Sequence, residues 1–217
     1  MSGLKIQKVF IVDDHELVRQ GLRQLINGEF NLELCGEAAG VSDTLKLCKT
    51  LKPDITIVDI SLPDGNGLEL VKQLHRYYPH MRIIVLSMHD DELYAERALN
   101  CGAMAYINKQ DSAQKLLFGI KQVLNNKVFV SSEIAKRIER VSHNKADGED
   151  LTAQLSNREL QIFDAIGRGM KTKHVAESLN LSVKTIESHR SHIKSKLGLR
   201  SGAELNRAAI VWVLEHS

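Results

Sequence analysis

Five polar side chains stand where apolar runs end. Asp13 and Asp14 follow Val9-Phe10-Ile11-Val12, and Asp59 follows Ile55-Thr56-Ile57-Val58. Ser87 follows Ile83-Ile84-Val85-Leu86, and Lys109 lies just past Tyr106-Ile107. Three carboxylates gathered at one place repel one another and need a cation. Oxygen donors with no histidine partner point to Mg²⁺ rather than zinc. A hydroxyl and an ammonium on the opposite side bind a tetrahedral anion. A carboxylate nucleophile, a metal and a cationic clamp are together the parts of phosphoryl chemistry. Each residue alone has a plainer role. Asp14 suits a helix N-cap, Asp59 an Asx-turn into Leu62-Pro63-Asp64-Gly65, Ser87 another cap, and Lys109 a solvent-facing position. Their recurrence at successive strand ends favours a shared site.

The elements that must position them alternate. Apolar runs predict strands over 8–12, 32–38, 55–58, 82–86 and 104–107, and 3.6-residue periodicity predicts helices over 16–26, 41–51, 68–77, 92–99 and 112–124. The stretch 62–67 is dense in turn residues. Five strand–helix units imply an α/β fold, a parallel sheet with helices on both faces. Such a sheet offers its ligand site outside the carboxyl ends of its strands. The expected first domain spans 1–126. A polar linker is expected over 127–150, with a modest helix over 131–141. The remainder, 151–217, reads as all-helical, with helices over 156–166, 172–179, 182–197 and 202–214.

Composition narrows the class. The 217 residues are 43% hydrophobic and 26% charged, the ordinary range of a globular chain. No apolar run reaches the roughly 18 residues of a membrane span. The N-terminal residues lack the pattern of a secretory leader, so a reducing cytoplasm is the expected compartment. Cys35, Cys48 and Cys101 are odd in number and form no C-x-x-C pair, which speaks against a disulfide framework or a zinc site. Cys35 and Cys101 are expected to be small buried hydrophobes. His15 is expected to be exposed at a helix start. His89 either tunes water access to the site or sits in a plain surface loop. Residues 1–125 carry 14 Lys and Arg against 16 Asp and Glu, whereas 126–217 carry 15 against 11. An acidic half joined to a basic half suggests two jobs, one of them on nucleic acid.

Val9–Asp14, Asp59-Ile60-Ser61-Leu62-Pro63 with Gly67, Ser87 and Lys109 together resemble the receiver domain of two-component signalling. The likeness covers the first 125 or so residues. It implies a flavodoxin-like fold with strand order 2-1-3-4-5. It implies that Asp59 accepts a phosphoryl group from a histidine kinase. Asp14, Asp59 and the Ser61 backbone carbonyl would then bind Mg²⁺, with Asp13 acting through water. Ser87 would hydrogen-bond the phosphoryl oxygens, Lys109 would pair with them, and Tyr106 would be the switch aromatic. The chain departs from the family at Gln110, where many receivers have proline.

In the basic half, 172–179, a short turn at Asn180-Leu181 and 182–197 read as helix-turn-helix, with Ser182 as N-cap. On a helical wheel Ile186, Ile193 and Leu197 share one face, with Arg190 beside it. Lys184, Ser188, Ser191 and Ser195 take the opposite face. Glu187 and Lys194 flank that polar face on one side and His192 on the other. Such a face suits the major groove of double-stranded DNA, with basic side chains on phosphates. A solvated amphipathic helix is the plainer alternative.

Leu155-Ser156-Asn157-Arg158-Glu159, Val175-Ala176, the run Leu181–His189 and Lys196-Leu197-Gly198 resemble the LuxR-type DNA-binding domain. The whole chain thus resembles a NarL/FixJ-type response regulator. The DNA-contacting set that follows is Lys184, Thr185, Glu187, Ser188, Ser191, His192, Lys194 and Lys196. Glu187 either accepts from cytosine N4 or holds a neighbouring basic side chain. The last helix, with Leu205, Ala208, Ala209 and Trp212, falls where the family dimerises on DNA, so a homodimer is expected upon phosphorylation. The expected function is phosphorylation-switched control of transcription at an operator, not enzymatic turnover. A Mg²⁺-dependent aspartyl-phosphate phosphohydrolase is the alternative. Those enzymes need a second aspartate two residues past the nucleophile, and Ser61 stands there.

Overall fold

The computed structural model describes residues 5–88, 92–132, 134–136 and 152–215. His89 lies outside the described residues. The chain folds as two compact units, Met1–Glu139 and Arg140–Ser217.

The first unit runs β1 (Gln7–Val12), α1 (Glu16–Asn27), β2 (Leu32–Ala38), α2 (Val41–Leu51), β3 (Ile55–Asp59), β4 (Ser61–Leu62), β5 (Gly65–Asn66), α3 (Gly67–Tyr77), β6 (Arg82–Ser87), α4 (Glu92–Asn100), β7 (Ala105–Asn108) and α5 (Ala113–Leu124). The five long strands form one sheet in the order β2-β1-β3-β6-β7. Every pairing in it is parallel. This is the flavodoxin-like order expected from the sequence, with β4 and β5 making a separate antiparallel ribbon.

Alternation explains why both faces are buried. Val9, Ile11, Ile55, Ile57, Ile84 and Leu86 pack with Leu22 and Ile26 of α1 and Leu116 and Ile120 of α5. The intervening Phe10, Val12, Val58, Ile83 and Val85 are equally buried on the other face. There β1, β3 and β7 meet α2, α3 and α4 respectively. With both faces covered, the polar residues can reach water only at the strand ends.

One sheet edge is covered by a segment beyond α5. The Phe129 N–H donates to the Met104 carbonyl at 2.9 Å, and the Tyr106 N–H donates to the Phe129 carbonyl at 3.1 Å. Phe129 also packs edge-on against Phe118, with ring centroids 5.5 Å apart. The stretch expected as a linker over 127–150 therefore begins with residues bonded to the sheet. Of the helix expected over 131–141, residues 132 and 134–136 are helical, and the remainder lies outside the described residues.

The second unit holds α6 (Asn157–Gly167), α7 (Thr172–Ser178), α8 (Val183–Lys196) and α9 (Gly202–Glu215). Ser156 caps α6 and shares a capping box with Glu159. Its core gathers Leu160, Phe163, Val175, Ile186, Ile193 and Leu205, all fully buried. Phe163 and Trp212 bring α6 against α9, with ring centroids 5.8 Å apart. The crossing is close because Gly167 has no side chain: a Cβ there would collide with the Ala209 carbonyl and the Val213 side chain. We expect Gly167→Ala to lower the melting temperature of the second unit, since overpacking of this kind costs about 1–3 kcal/mol. Calorimetry of the full chain should show that transition move while the first unit's does not. Unchanged melting of both units would mean the α6–α9 contact yields freely.

Candidate functional site

The sheet register assembles the polar residues of the first unit. Val12 pairs with Val58, so Asp13 and Asp59 end adjacent strands. Asp59 pairs with Leu86 and Ser87 with Asn108, which carries the series to the residue before Lys109. The Lys109 ammonium lies 2.7 Å from Asp13 Oδ2 and 2.8 Å from Asp59 Oδ2. All three side chains are almost sealed from water, at 6%, 2% and 3% exposure. Ser87 and Tyr106 are buried beside them in the sheet. The Lys109 N–H donates to the Ser87 carbonyl at 2.7 Å.

Burial pushes the Asp59 carboxyl up to about 6, with the attraction of Lys109 opposing and the repulsion of Asp13 adding to the rise. The Ser61 backbone N–H bonds the carboxylate and also opposes the rise. For Lys109, burial pulls downward, but Asp59 and Asp13 overcome it and hold the ammonium above its ordinary value. At neutral pH Asp59 is therefore mostly ionised and Lys109 charged.

One sequence expectation is corrected. The carboxylates do have a histidine neighbour. His15 Nδ1 lies 2.8 Å from Asp14 Oδ1 and 3.2 Å from Asp13 Oδ1. The His15 backbone N–H donates to Asp13 Oδ1, and this fold of the chain turns the ring back on the site. The ring itself remains largely exposed, as expected. Asp13, Asp14, His15 and Asp59 each offer a ligand atom within 4.8 Å of the others. Asp14 Oδ1 is buried, and its approach to His15 lacks hydrogen-bond geometry, so it retains a lone pair for a cation. This donor set fits a hard divalent ion.

Three local devices hold the surrounding loops. Gly67 begins α3 so close to the strand end that a Cβ would collide with the Asp59 carbonyl. Asn66 caps α3, its Oδ1 accepting from Leu68 N and Glu69 N. Asp64 ties the same loop to α2, accepting from Val41 N at 2.7 Å and Ser42 N at 2.9 Å. The burial of Asp64 is more than offset by those N–H groups, and its carboxyl lies below the usual range. The departure at Gln110 also has a local account. Gln110 donates an N–H to Asn108 Oδ1 at 2.8 Å, a bond proline cannot make, and Asp111 Oδ2 accepts from Asn108 N. That turn, rather than a proline, shapes the loop bearing Lys109.

In the second unit Ser182 caps α8, accepting from Thr185 N at 3.0 Å, while the two hydroxyls lie 2.8 Å apart. Ile186 and Ile193 are fully buried. Lys184, Glu187, Ser188, Ser191, His192 and Ser195 are exposed, and Thr185 and Lys194 are half-buried. Arg190, beside the isoleucine face, donates to Asn206 of α9 at 3.3 Å. Two expectations change here. Lys196 is not a free phosphate contact, because its ammonium is held 2.6 Å from Glu159 Oε2. Leu205, Ala209 and Trp212 are core residues, at 0%, 0% and 4% exposure, and so cannot form a dimer face. Only Ala208 of that set reaches the surface, half-buried, while the exposed apolar side chains of α9 are Ile210, Val211 and Leu214. Cys35 and Cys101 are half-buried, and Cys48 alone is buried.

Residues 9–121 match the response regulator receiver domain, and residues 153–209 match the bacterial regulatory proteins of the luxR family. The chain belongs to the response regulators. It is similar to the response regulator UvrY of Escherichia coli (strain K12), 34% identical over 202 residues, 93% of each protein. It is also similar to the oxygen regulatory protein NreC of Staphylococcus aureus (strain JH9), 35% identical over 209 residues, 94% of this chain and 96% of that protein. Both have the NarL/FixJ arrangement of receiver and DNA-binding domain. Among solved structures, RcsB of Salmonella typhimurium shares the fold, with a TM-score of 0.67 over 95% of this chain and 98% of RcsB, at 23% identity.

As a response regulator with a receiver and a LuxR-type domain, the chain is a DNA-binding regulator of transcription in a two-component system. No helix among the described residues is long and apolar enough to cross a membrane. The sequence missed Asp64, His15 and the Glu159–Lys196 pair. Asp64 was visible only as part of a turn, because its helix partner lies more than 20 residues away in sequence.

The raised Asp59 carboxyl sets a pH dependence of stability. The fold prefers its protonated form, so its favourable contribution is complete below about pH 4 and is lost as pH rises through about 6. In the presence of a chelator, Asp59→Asn should therefore gain stability relative to the unsubstituted chain as pH rises from about 4 to about 6, and hold that gain at higher pH. Melting curves of the two proteins would measure this. Parallel curves at every pH would mean that Asp59 carries no such burden.

Proposed function

We propose that Asp59 is the phosphoacceptor of this response regulator, that its phosphorylation by a histidine kinase switches DNA binding, and that the protein acts in the cytoplasm. The observation that carries the reading is the Lys109 ammonium held between Asp13 and Asp59 in a buried pocket. An Asp59 oxygen attacks the phosphorus of a phosphohistidine. The new O–P bond forms as the N–P bond breaks, and the departing imidazole takes up a proton. Lys109 then transfers its pairing to the phosphoryl oxygens, and the Ser87 hydroxyl donates to another. Asp14, Asp59 and the Ser61 carbonyl would hold Mg²⁺, with Asp13 acting through water. The metal, when bound, neutralises charge that the crowded carboxylates would otherwise turn against the incoming group. Ser87 and Tyr106 repack around the phosphoryl group and shift the receiver between two states.

The protein is not a turnover enzyme in this reading, because Ser61 provides no carboxylate to activate water against the aspartyl phosphate. The domain assignment proposed is a receiver over 1–126, a linker over 127–150 and a helix-turn-helix domain over 151–217. Lys184 and Lys194 contact phosphates, and Glu187, Ser188, Ser191 and His192 face base edges. Thr185 supports the start of α8. Phosphorylation favours a homodimer, assembled through the exposed side of α9 around Ala208 and Val211. Solved RcsB structures include dimers bound to DNA and promoter complexes with a phosphomimetic.

Mass spectrometry after acetyl phosphate and Mg²⁺ should find one labile phosphoryl adduct, lost in Asp59→Asn. Asp14→Ala should raise the Mg²⁺ concentration needed by about tenfold, the cost expected of a missing ligand group. Uptake that persists in excess chelator would remove the metal from this scheme.

DNA binding offers a separate test. Lys184→Ala should weaken binding to all sequences and flatten the slope of log K against log salt by about 0.9 per lost contact. Ser191→Ala should leave that slope unchanged but alter which operators are preferred. Lys196→Ala should instead lower the melting temperature, since it strands the buried Glu159 carboxylate. A full salt-slope effect from Lys196→Ala would place its ammonium on DNA.

A further inference from the structure

We propose that Glu159, His189 and His192 form a binding site for a divalent ion of the Zn²⁺ class on the second unit. The three residues each offer a ligand atom, and these atoms all lie within 4.8 Å of one another. They come from two packed helices: Glu159 from α6, and His189 with His192 from α8. The histidines are three residues apart, so they share one helical face.

One atom of the cluster lacks a hydrogen-bond partner. Glu159 Oε2 accepts from Ser156 N at 2.8 Å and from the Lys196 ammonium at 2.6 Å. His189 Nδ1 is buried without a hydrogen-bond partner. A buried polar atom of that kind is costly unless something satisfies it. His192 is exposed, so its ring is free to rotate.

Two imidazoles and one carboxylate suit zinc far better than magnesium. This donor set differs from the mainly oxygen-lined pocket of the receiver. Zinc bonds of about 2.0–2.1 Å place tetrahedral ligands about 3.3 Å apart. The three atoms would have to draw together on binding, and exposed His192 is the ligand with most room to move. Three protein ligands leave a fourth position to water on the exposed side. The nearby cations, Lys196 and Arg158, are both engaged. Lys196 is on Glu159 Oε2, and Arg158 donates to Gln161 and to the Leu179 carbonyl. Neither cation is left unpaired beside the Glu159 carboxylate, which offers one ligand atom to the cluster.

The test is equilibrium dialysis of the full chain against Zn²⁺, with Mg²⁺ in excess to occupy the receiver. The unsubstituted protein should hold one more zinc per chain than His192→Ala. Changes outside the ligands of zinc sites already cost about 10–100-fold in affinity, so losing this ligand should weaken the site by about tenfold at least. Zinc should also raise the melting temperature of the second unit in the unsubstituted chain and not in His192→Ala. His192 is exposed, so the variant should fold normally. His189→Gln provides a second variant with the same expected loss. Equal zinc content and equal melting shifts in the unsubstituted chain and both variants would overturn the proposal.

Discussion

Lys109 places one ammonium between two carboxylates, nearly out of contact with water, and the first unit is organised around that arrangement. Moving even one such ion from water costs several kcal/mol, and pairing repays this only when the geometry is good. Here the pairing is good but incomplete. Two carboxylates face a single positive charge, and Asp14 stands beside them with a buried oxygen that makes no hydrogen bond. Burial raises the Asp59 carboxyl, the nearby Asp13 charge adds to the rise, and the surplus negative charge suits the pocket to a divalent cation. A fully neutral cluster would be more stable and would have nothing to offer a metal.

The sheet makes such a cluster possible. Strands covered on both faces leave their ends as the place where charged groups can meet, and parallel pairing puts equivalent ends on the same side. That places Asp13, Asp59 and Ser87 at one edge with little contribution from the loops. The loops then refine the positions. Asp64 ties the segment after Asp59 to α2, and Asn66 ties it to α3. On the other side, Asn108 and Asp111 form the turn that carries Lys109. Each tie uses a side chain to satisfy backbone N–H groups that the bend leaves unpaired.

The parts legible in the sequence are those governed by periodicity and by strand ends. The five long strands and the helices α1 to α9 lie, among the described residues, within a residue or two of where the apolar pattern puts them. The meeting of Asp13, Asp59 and Lys109 was legible because charge at the end of an apolar strand is rarely accidental. What escaped depends on contacts between distant segments. The β4–β5 ribbon is only two residues long on each side, too short to show any pattern. His15 reads as an ordinary surface histidine until the backbone turns its ring toward Asp13 and Asp14. The wheel of α8 separated buried from exposed correctly, yet it could not show that Lys196 spans to α6. On α9 the family likeness selected residues of which Leu205, Ala209 and Trp212 face inward, since an apolar side chain suits a core and an interface equally well.

Glu159 shows the same electrostatic logic in the second unit, with the opposite balance. It is a buried carboxylate at the start of α6, accepting from the Ser156 backbone N–H and the Lys196 ammonium, while its own N–H donates to the Ser156 hydroxyl. Burial alone would raise its carboxyl, but Lys196 and Ser156 outweigh that and hold it low. Lys196 is therefore a fastening between α8 and α6, and its position near the end of α8 fixes the angle at which that helix leaves the core. The exposed Lys184, Ser188 and Ser191 owe their common outward face to this fastening together with the buried Ile186 and Ile193. A recognition surface needs that rigidity, because side chains reaching for base edges discriminate only if the helix carrying them does not roll.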